Sequence, residues 1–175
     1  MQYLDNHFLF SETFIKEYLR ENKNDNDISN IFIQIRQWNE EYINGDFKDD
    51  SWFDFIDIIF DILGFKKRKN GQERFLYTNT ITENEKPVAF CYVVEKNIDI
   101  ASTVKGEYYA FNAVSTAKKN GIEWAMLTNG YRWRIYYIKD ISPYENYLEI
   151  DMESCINDNK KSGEAFELFH IFFNS

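Results

Sequence analysis

The chain is short of the residues that interrupt or staple a fold. Only 2 of its 175 residues are proline and 7 are glycine, which leaves little room for flexible linkers. Its two cysteines, Cys91 and Cys155, lie in separate segments without CxxC spacing. They read as reduced, buried, small hydrophobes rather than as a disulfide framework. The two histidines, His7 and His170, stand at opposite ends with no metal-ligand spacing. No stretch approaches the apolar length that spans a bilayer, and the first residues carry neither a basic region nor a signal core. The expectation is a cytoplasmic protein that does not engage a membrane. There is no Gly-rich phosphate loop and no local signature of Ser-His-Asp or Cys-His catalysis.

What is present is apolar and aromatic. Hydrophobic residues make up 44%, with 16 Phe and 12 Tyr, a globular composition with enough chain to bury a substantial core. The net charge of −9 argues against a free-standing, non-specific nucleic-acid binder. Its distribution matters more than its total. Residues 1–64 hold 14 Asp and Glu against 5 Lys and Arg, whereas residues 65–175 hold 15 of each. The second part could still present a local basic face. Lys66, Lys67, Arg68 and Lys69 form the densest basic run, read here as a solvated connection after a helix.

Hydrophobic periodicity divides the chain into elements. Helical spacing marks 8–21, with Ser11 as its cap, and 28–43. A third helix over 51–63 is apolar nearly all round and belongs in the middle of a fold. Asp54, Asp57 and Asp61 form its single polar stripe and read as its wet face. The period then becomes extended. Residues 74–81 read as a strand, and 88–95 as a buried central strand because the run is apolar on both alternations. A helix over 106–119 and a strand over 122–128 complete a β-α-β unit. Asn129-Gly130 joins that strand to 131–138 as a hairpin, read as a type I′ turn with positive φ at both residues. A short strand over 147–150 and a helix over 163–173 follow. The expected architecture is α/β, a mixed central sheet flanked by helices, with residues 1–50 as an N-terminal helical extension and 51–175 as the core.

Several segments resemble one family. Trp124-Ala-Met-Leu-Thr-Asn-Gly-Tyr-Arg-Trp-Arg-Ile-Tyr137 resembles the "W-x-x-L-T-N-G-x-x-W-x-L-Y" hairpin in the amino-terminal nuclease domains of type IIG restriction–modification enzymes. It is similar, more loosely, to the amino-terminal domain of type I restriction subunits. Leu9–Leu19, Phe55–Phe65, Tyr147–Met152 and Glu164–Phe173 agree with the same domains in order and spacing. The resemblance implies a restriction-endonuclease-like, PD-(D/E)XK core in a bacterial DNA-defence system. It also implies DNA as partner and Mg²⁺ as cofactor, with methyltransferase and DNA-recognition domains in the same enzyme or on a partner subunit.

That chemistry needs carboxylates to hold a hard cation and a lysine near the attacking water. Glu95 falls where the motif glutamate belongs, at the end of the buried strand, but the lysine position two residues on is Asn97. Lys96 can replace it only if the strand ends or bulges there, since successive strand residues face opposite sides. The motif aspartate falls in Phe75–Tyr77, where there is no carboxylate; Glu73 is the nearest. Asp49 and Asp50 approximate a further helix glutamate. Glu95 and Lys96 are thus the candidate catalytic pair, and Glu95 and Glu73 the candidate metal ligands. Lys66, Lys67, Arg68, Arg132 and Arg134 are the candidate DNA contacts. With so few of its carboxylates in place the centre reads as degenerate, and the competing expectation is a nuclease-derived, non-catalytic module that docks to protein or DNA.

Overall fold

A strand that is apolar at odd and even positions needs cover on both faces, and Lys86–Val94 (β4) has it. Ala89, Cys91 and Val93 enter one hydrophobic cluster, while Phe90 and Val94 enter a second on the other side of the sheet. The computed structural model describes residues 4–21, 28–44, 51–73, 76–83, 86–104, 106–157 and 162–173, with the backbone alone over 28–29, 43–44, 51, 67–73, 76–83, 104, 107 and 162–165. Among these, seven strands make one mixed sheet, in the order β1-β9-β8-β7-β4-β3-β2. They are β1 (Leu4–His7), β2 (Lys66–Glu73), β3 (Leu76–Glu83), β4, β7 (Trp124–Thr128), β8 (Arg132–Tyr137) and β9 (Tyr147–Asp151). A two-residue pair, β5 (Thr103–Val104) and β6 (Glu107–Tyr108), stands apart.

The β-α-β unit forms as its sequence pattern predicts. β4 and β7 pair in parallel, with Ala89 beside Trp124 and Val93 beside Thr128. The helix between them, α4 (Tyr109–Lys119), lays Ala113, Val114 and Ala117 on the sheet. Around this unit every other pairing is antiparallel: β2 with β3, β3 with β4, β7 with β8, β8 with β9 and β9 with β1. The fold is therefore α/β with a mixed sheet, as expected.

The opposite face is covered by α2 (Ile28–Asn44), α3 (Ser51–Ile62), α5 (Met152–Asn157) and α6 (Ser162–Phe173). Helix α3 is apolar nearly all round because it lies between the sheet and the other helices. Trp52, Phe53, Phe55, Ile56, Ile59 and Phe60 are all buried. Its polar stripe is wet at Asp54 and Asp61, and half-buried at Asp57. Trp133 meets Phe60, Phe169 and Phe173 edge to face in the middle of this layer. Helix α1 (Glu12–Glu21) begins at Ser11, whose hydroxyl accepts from Phe14 N–H at 3.1 Å and caps it as anticipated.

Several elements differ from the sequence reading, among them α4, which starts at Tyr109 rather than at residue 106, after the short strand β6. Helix α1 starts at Glu12 rather than at residue 8, and Leu4–His7 before it is an edge strand on β9. Residues 1–50, expected as a helical extension, thus contribute a strand to the main sheet, and Phe32 and Ile35 of α2 lie in the main core. The basic run at 66–69 opens strand β2 instead of a connection, with a bulge between Lys69 and Gly71. Residues 152–157, which carry no distinct signal, form α5. No helix among the described residues is long and apolar enough to cross a membrane.

Candidate functional site

In open α/β sheets ligands collect beyond the carboxyl ends of the parallel strands. Here those ends are Val94 of β4 and Thr128 of β7. The chain leaves β4 through a tight turn, in which Ile98 N–H donates to the Glu95 carbonyl at 3.0 Å. Lys96 and Asn97 are the central residues of that turn. The strand alternation therefore stops at Glu95, and Lys96 is not forced to the α4 side. Its ammonium lies 5.0 Å from the Tyr42 ring centre and 5.8 Å from that of Trp52, on the α2–α3 side of the sheet. Glu95, Lys96, Asn97, Tyr42 and Trp52 line one cleft of about 230 Å³. The condition under which Lys96 could stand in for the motif lysine, a strand ending there, is met.

What holds this cleft in shape is Asn129. It is buried, and each polar atom of its side chain is used. Its Oδ1 accepts from Tyr131 N–H (3.1 Å) and Arg132 N–H (2.7 Å), closing the hairpin. Its Nδ2 donates to the Ile98 carbonyl at 3.0 Å and, more loosely, to that of Lys96 at 3.4 Å. Because the side chain closes the turn, the Asn129 carbonyl is left to accept from Trp52 Nε1–H at 3.0 Å. One residue thus joins the β7–β8 hairpin, the turn carrying Lys96 and the aromatic platform under the lysine. This corrects the turn type expected from Asn-Gly. Gly130 has φ +85°, but Asn129 does not take a positive φ. The glycine is needed for another reason as well: a Cβ on it would stand 2.3 Å from Trp52 Cζ2.

Replacing Asn129 with alanine strips partners from two backbone N–H groups and two carbonyls at a half-buried site. Each unsatisfied group costs roughly 1–3 kcal/mol when water cannot reach it. Since water enters where the amide was, a total loss of about 3 kcal/mol is expected, read as a lowered denaturant midpoint at unchanged slope. Asn129→Asp keeps the acceptor and is expected to fall between the two.

The other predicted site residues are scattered. Glu73 ends β2, where it pairs with Leu76 of β3, which pairs in turn with Val94. At two strand spacings its backbone is roughly 10 Å from that of Val94, at the same end of the sheet as Glu95. The β3 position nearest Glu95 precedes Leu76, and Phe75–Tyr77 carries no carboxylate. Asp49 and Asp50 lie outside the described residues. Among the described residues no group of three His, Cys, Asp or Glu side chains is placed to hold an ion. Glu95 alone is a thin donor set for Mg²⁺, which gives up its hydration only to several well-placed oxygens.

Lys66, Lys67 and Arg68 follow one another along β2, the strand at the β2 end of the sheet. Arg132 and Arg134 are drawn elsewhere. Register sets Arg134 opposite Glu149 and Arg132 opposite Asp151. Glu149 is only 4% exposed; Arg134 Nε donates to its Oε2, and Arg132 Nη1 to its Oε1 at 2.6 Å. Arg134 also stacks on Tyr147, 4.3 Å from the ring centre. Tyr136 and Glu149 outweigh its burial and hold its pKa above the ordinary arginine value. The Trp133 face of the hairpin is core, and the arginine face is a half-buried ion-pair cluster rather than a wet one. Nothing in the sequence alone marks Tyr42 and Trp52 as lining residues or Asn129 as the brace beside them, although the Asn-Gly signal does point at the right turn.

The chain matches no protein-family model, no curated protein and no solved structure.

Proposed function

We propose that this chain is a restriction-endonuclease-like domain of a bacterial DNA-defence system, with Mg²⁺-dependent cleavage of DNA centred on Glu95 and Lys96. The observation that carries the reading is their joint placement in one cleft at the carboxyl end of the central strand. It is supported by the order α3, β2, β3, β4, α4, β7, with β4 and β7 parallel, which is the plan the resemblance implies. Glu95, with Glu73 as the second candidate ligand, would hold the cation, which would supply Lewis-acid polarisation of a phosphodiester. Lys96, adjacent in the cleft, supplies a positive charge beside the scissile phosphate. DNA would approach along the basic stretch of β2, through Lys66, Lys67 and Arg68. The fused or partner methyltransferase and recognition domains would supply sequence choice.

A second reading is a nuclease-derived module that docks without cutting. One observation favours it: the β3 position beside Glu95 has no carboxylate, and among the described residues no group of three acidic, His or Cys side chains is placed to hold an ion. Nicking of supercoiled plasmid with Mg²⁺ or Mn²⁺ separates the two. Cleavage that falls at least about a hundredfold in both Glu95→Ala and Lys96→Ala supports the nuclease, since removing one group that acts on the transition state costs on that order. Absence of nicking by the wild type, or equal nicking by all three proteins, leaves the docking module.

A further inference from the structure

A lysine in the second position of a tight turn ordinarily extends into water. Lys96 holds that position and is instead half-buried, while its neighbour Asn97 is exposed. Its side chain folds back over two rings from different helices, Tyr42 of α2 and Trp52 of α3. The ring centres stand 4.9 Å apart with their planes inclined by 52°, and the ammonium lies 5.0 Å from the first and 5.8 Å from the second. The three points form a nearly equilateral triangle, so one cation meets two ring faces at once. Both distances are within reach of a cation–π attraction. Among the described residues, these rings are the contacts that hold the ammonium.

The seat is rigid. Trp52 is 1% exposed, and its Nε1–H donates to the Asn129 carbonyl at 3.0 Å. Tyr42 packs against Trp52 and stacks on Phe55. Asn129 donates in turn to the Ile98 carbonyl at 3.0 Å, in the turn that carries Lys96. Both ends of the lysine, its backbone and its ammonium, are therefore tied through one residue. A lysine side chain left to itself has much rotamer freedom to lose. A preformed seat removes that cost before any ligand arrives.

We propose that Tyr42 and Trp52 are positioning residues, which together hold the Lys96 ammonium at a fixed point on the α2–α3 wall of the cleft. The seat stands on its own geometry; that it serves DNA cleavage rests on the nuclease reading above. Tyr42 belongs to the first fifty residues, so that segment completes the site as well as the core.

Acylation of lysines followed by mass spectrometry tests the seat without reference to cleavage. The full chain is treated with limiting acetic anhydride, and the exposed Lys118 is the internal standard. Trp52 is too deeply built into the core to vary, so Tyr42 carries the test. Relative to Lys118, Lys96 of the wild type should react at least about fivefold more slowly than Lys96 of Tyr42→Leu, because an ammonium held on two rings reacts only after leaving them. Tyr42→Phe keeps a ring face and should keep the slow rate. In the nicking assay, Tyr42→Leu should lower kcat by about fivefold at unchanged KM, with Tyr42→Phe close to the wild type. Equal acylation of Lys96 in the wild type and Tyr42→Leu, or a phenylalanine variant as fast as the leucine one, overturns the seat. So does nicking that Tyr42→Leu leaves unaltered. A wild type that never nicks removes the nuclease reading alone, and the acylation rates then decide the seat by themselves.

Discussion

Gly130→Ala is expected to destabilise the protein by roughly 2–5 kcal/mol, from two separable causes. At φ +85° the backbone is in the left-handed region, where a β-carbon costs about 1–2 kcal/mol. The same β-carbon would stand 2.3 Å from Cζ2 of Trp52, a contact no pair of carbons sustains. Trp52 is 1% exposed, is held by its Nε1 bond to Asn129 and packs between Tyr42, Phe55 and Tyr131. Moving it disturbs all of these, an overpacking cost of about 1–3 kcal/mol. Gly121→Ala is the control. Its φ is +69°, but nothing lies within 4 Å of its would-be β-carbon, so only the backbone cost applies. Denaturant unfolding of both variants isolates the steric part, and equal losses would refute the role given to Trp52.

Arg134→Met is expected to cost about 3 kcal/mol, and Arg132→Met about 1 kcal/mol, although both arginines bond the same carboxylate. The difference is burial. Arg134 is 12% exposed and Arg132 47%. Removing Arg134 leaves Glu149 in a dry setting with only a surface partner, and an uncompensated buried charge costs more than its ion pair contributes. The double variant Arg134→Met/Glu149→Met should therefore recover much of the loss. A double-mutant cycle on melting temperature reads this directly. If Arg134→Met and Arg132→Met are equally mild, the cluster is an ordinary surface one.

The parts of the fold legible in the sequence are those whose residues face only one environment. Val88–Val94 is apolar on both alternations, and its central place in the sheet, covered on both faces, follows from that. Helix α3 was legible for the same reason. Leu4–His7 was not, because two of its four residues are polar and a third is His; it is a strand only because β9 offers it an edge. Lys66–Glu73 is likewise extended through pairing with β3 and not through its own pattern. At the candidate site, Glu95 was placed by its strand. Whether Lys96 could join it depended on where the strand ends, a matter of one turn hydrogen bond that periodicity does not encode. The arginine–glutamate cluster needed the β8–β9 register, since 15 residues of chain separate Arg134 from Glu149.

Among the described residues β2 ends the sheet, and this has a consequence for how copies of this molecule meet. An extended strand with spare main-chain groups is a template on which a second chain can add. Here four cationic residues run consecutively along that rim, Lys66 to Lys69. Two molecules aligning rim to rim would bring eight like charges together, so self-association by sheet extension is opposed. The same four charges that oppose a twin would attract a polyanion.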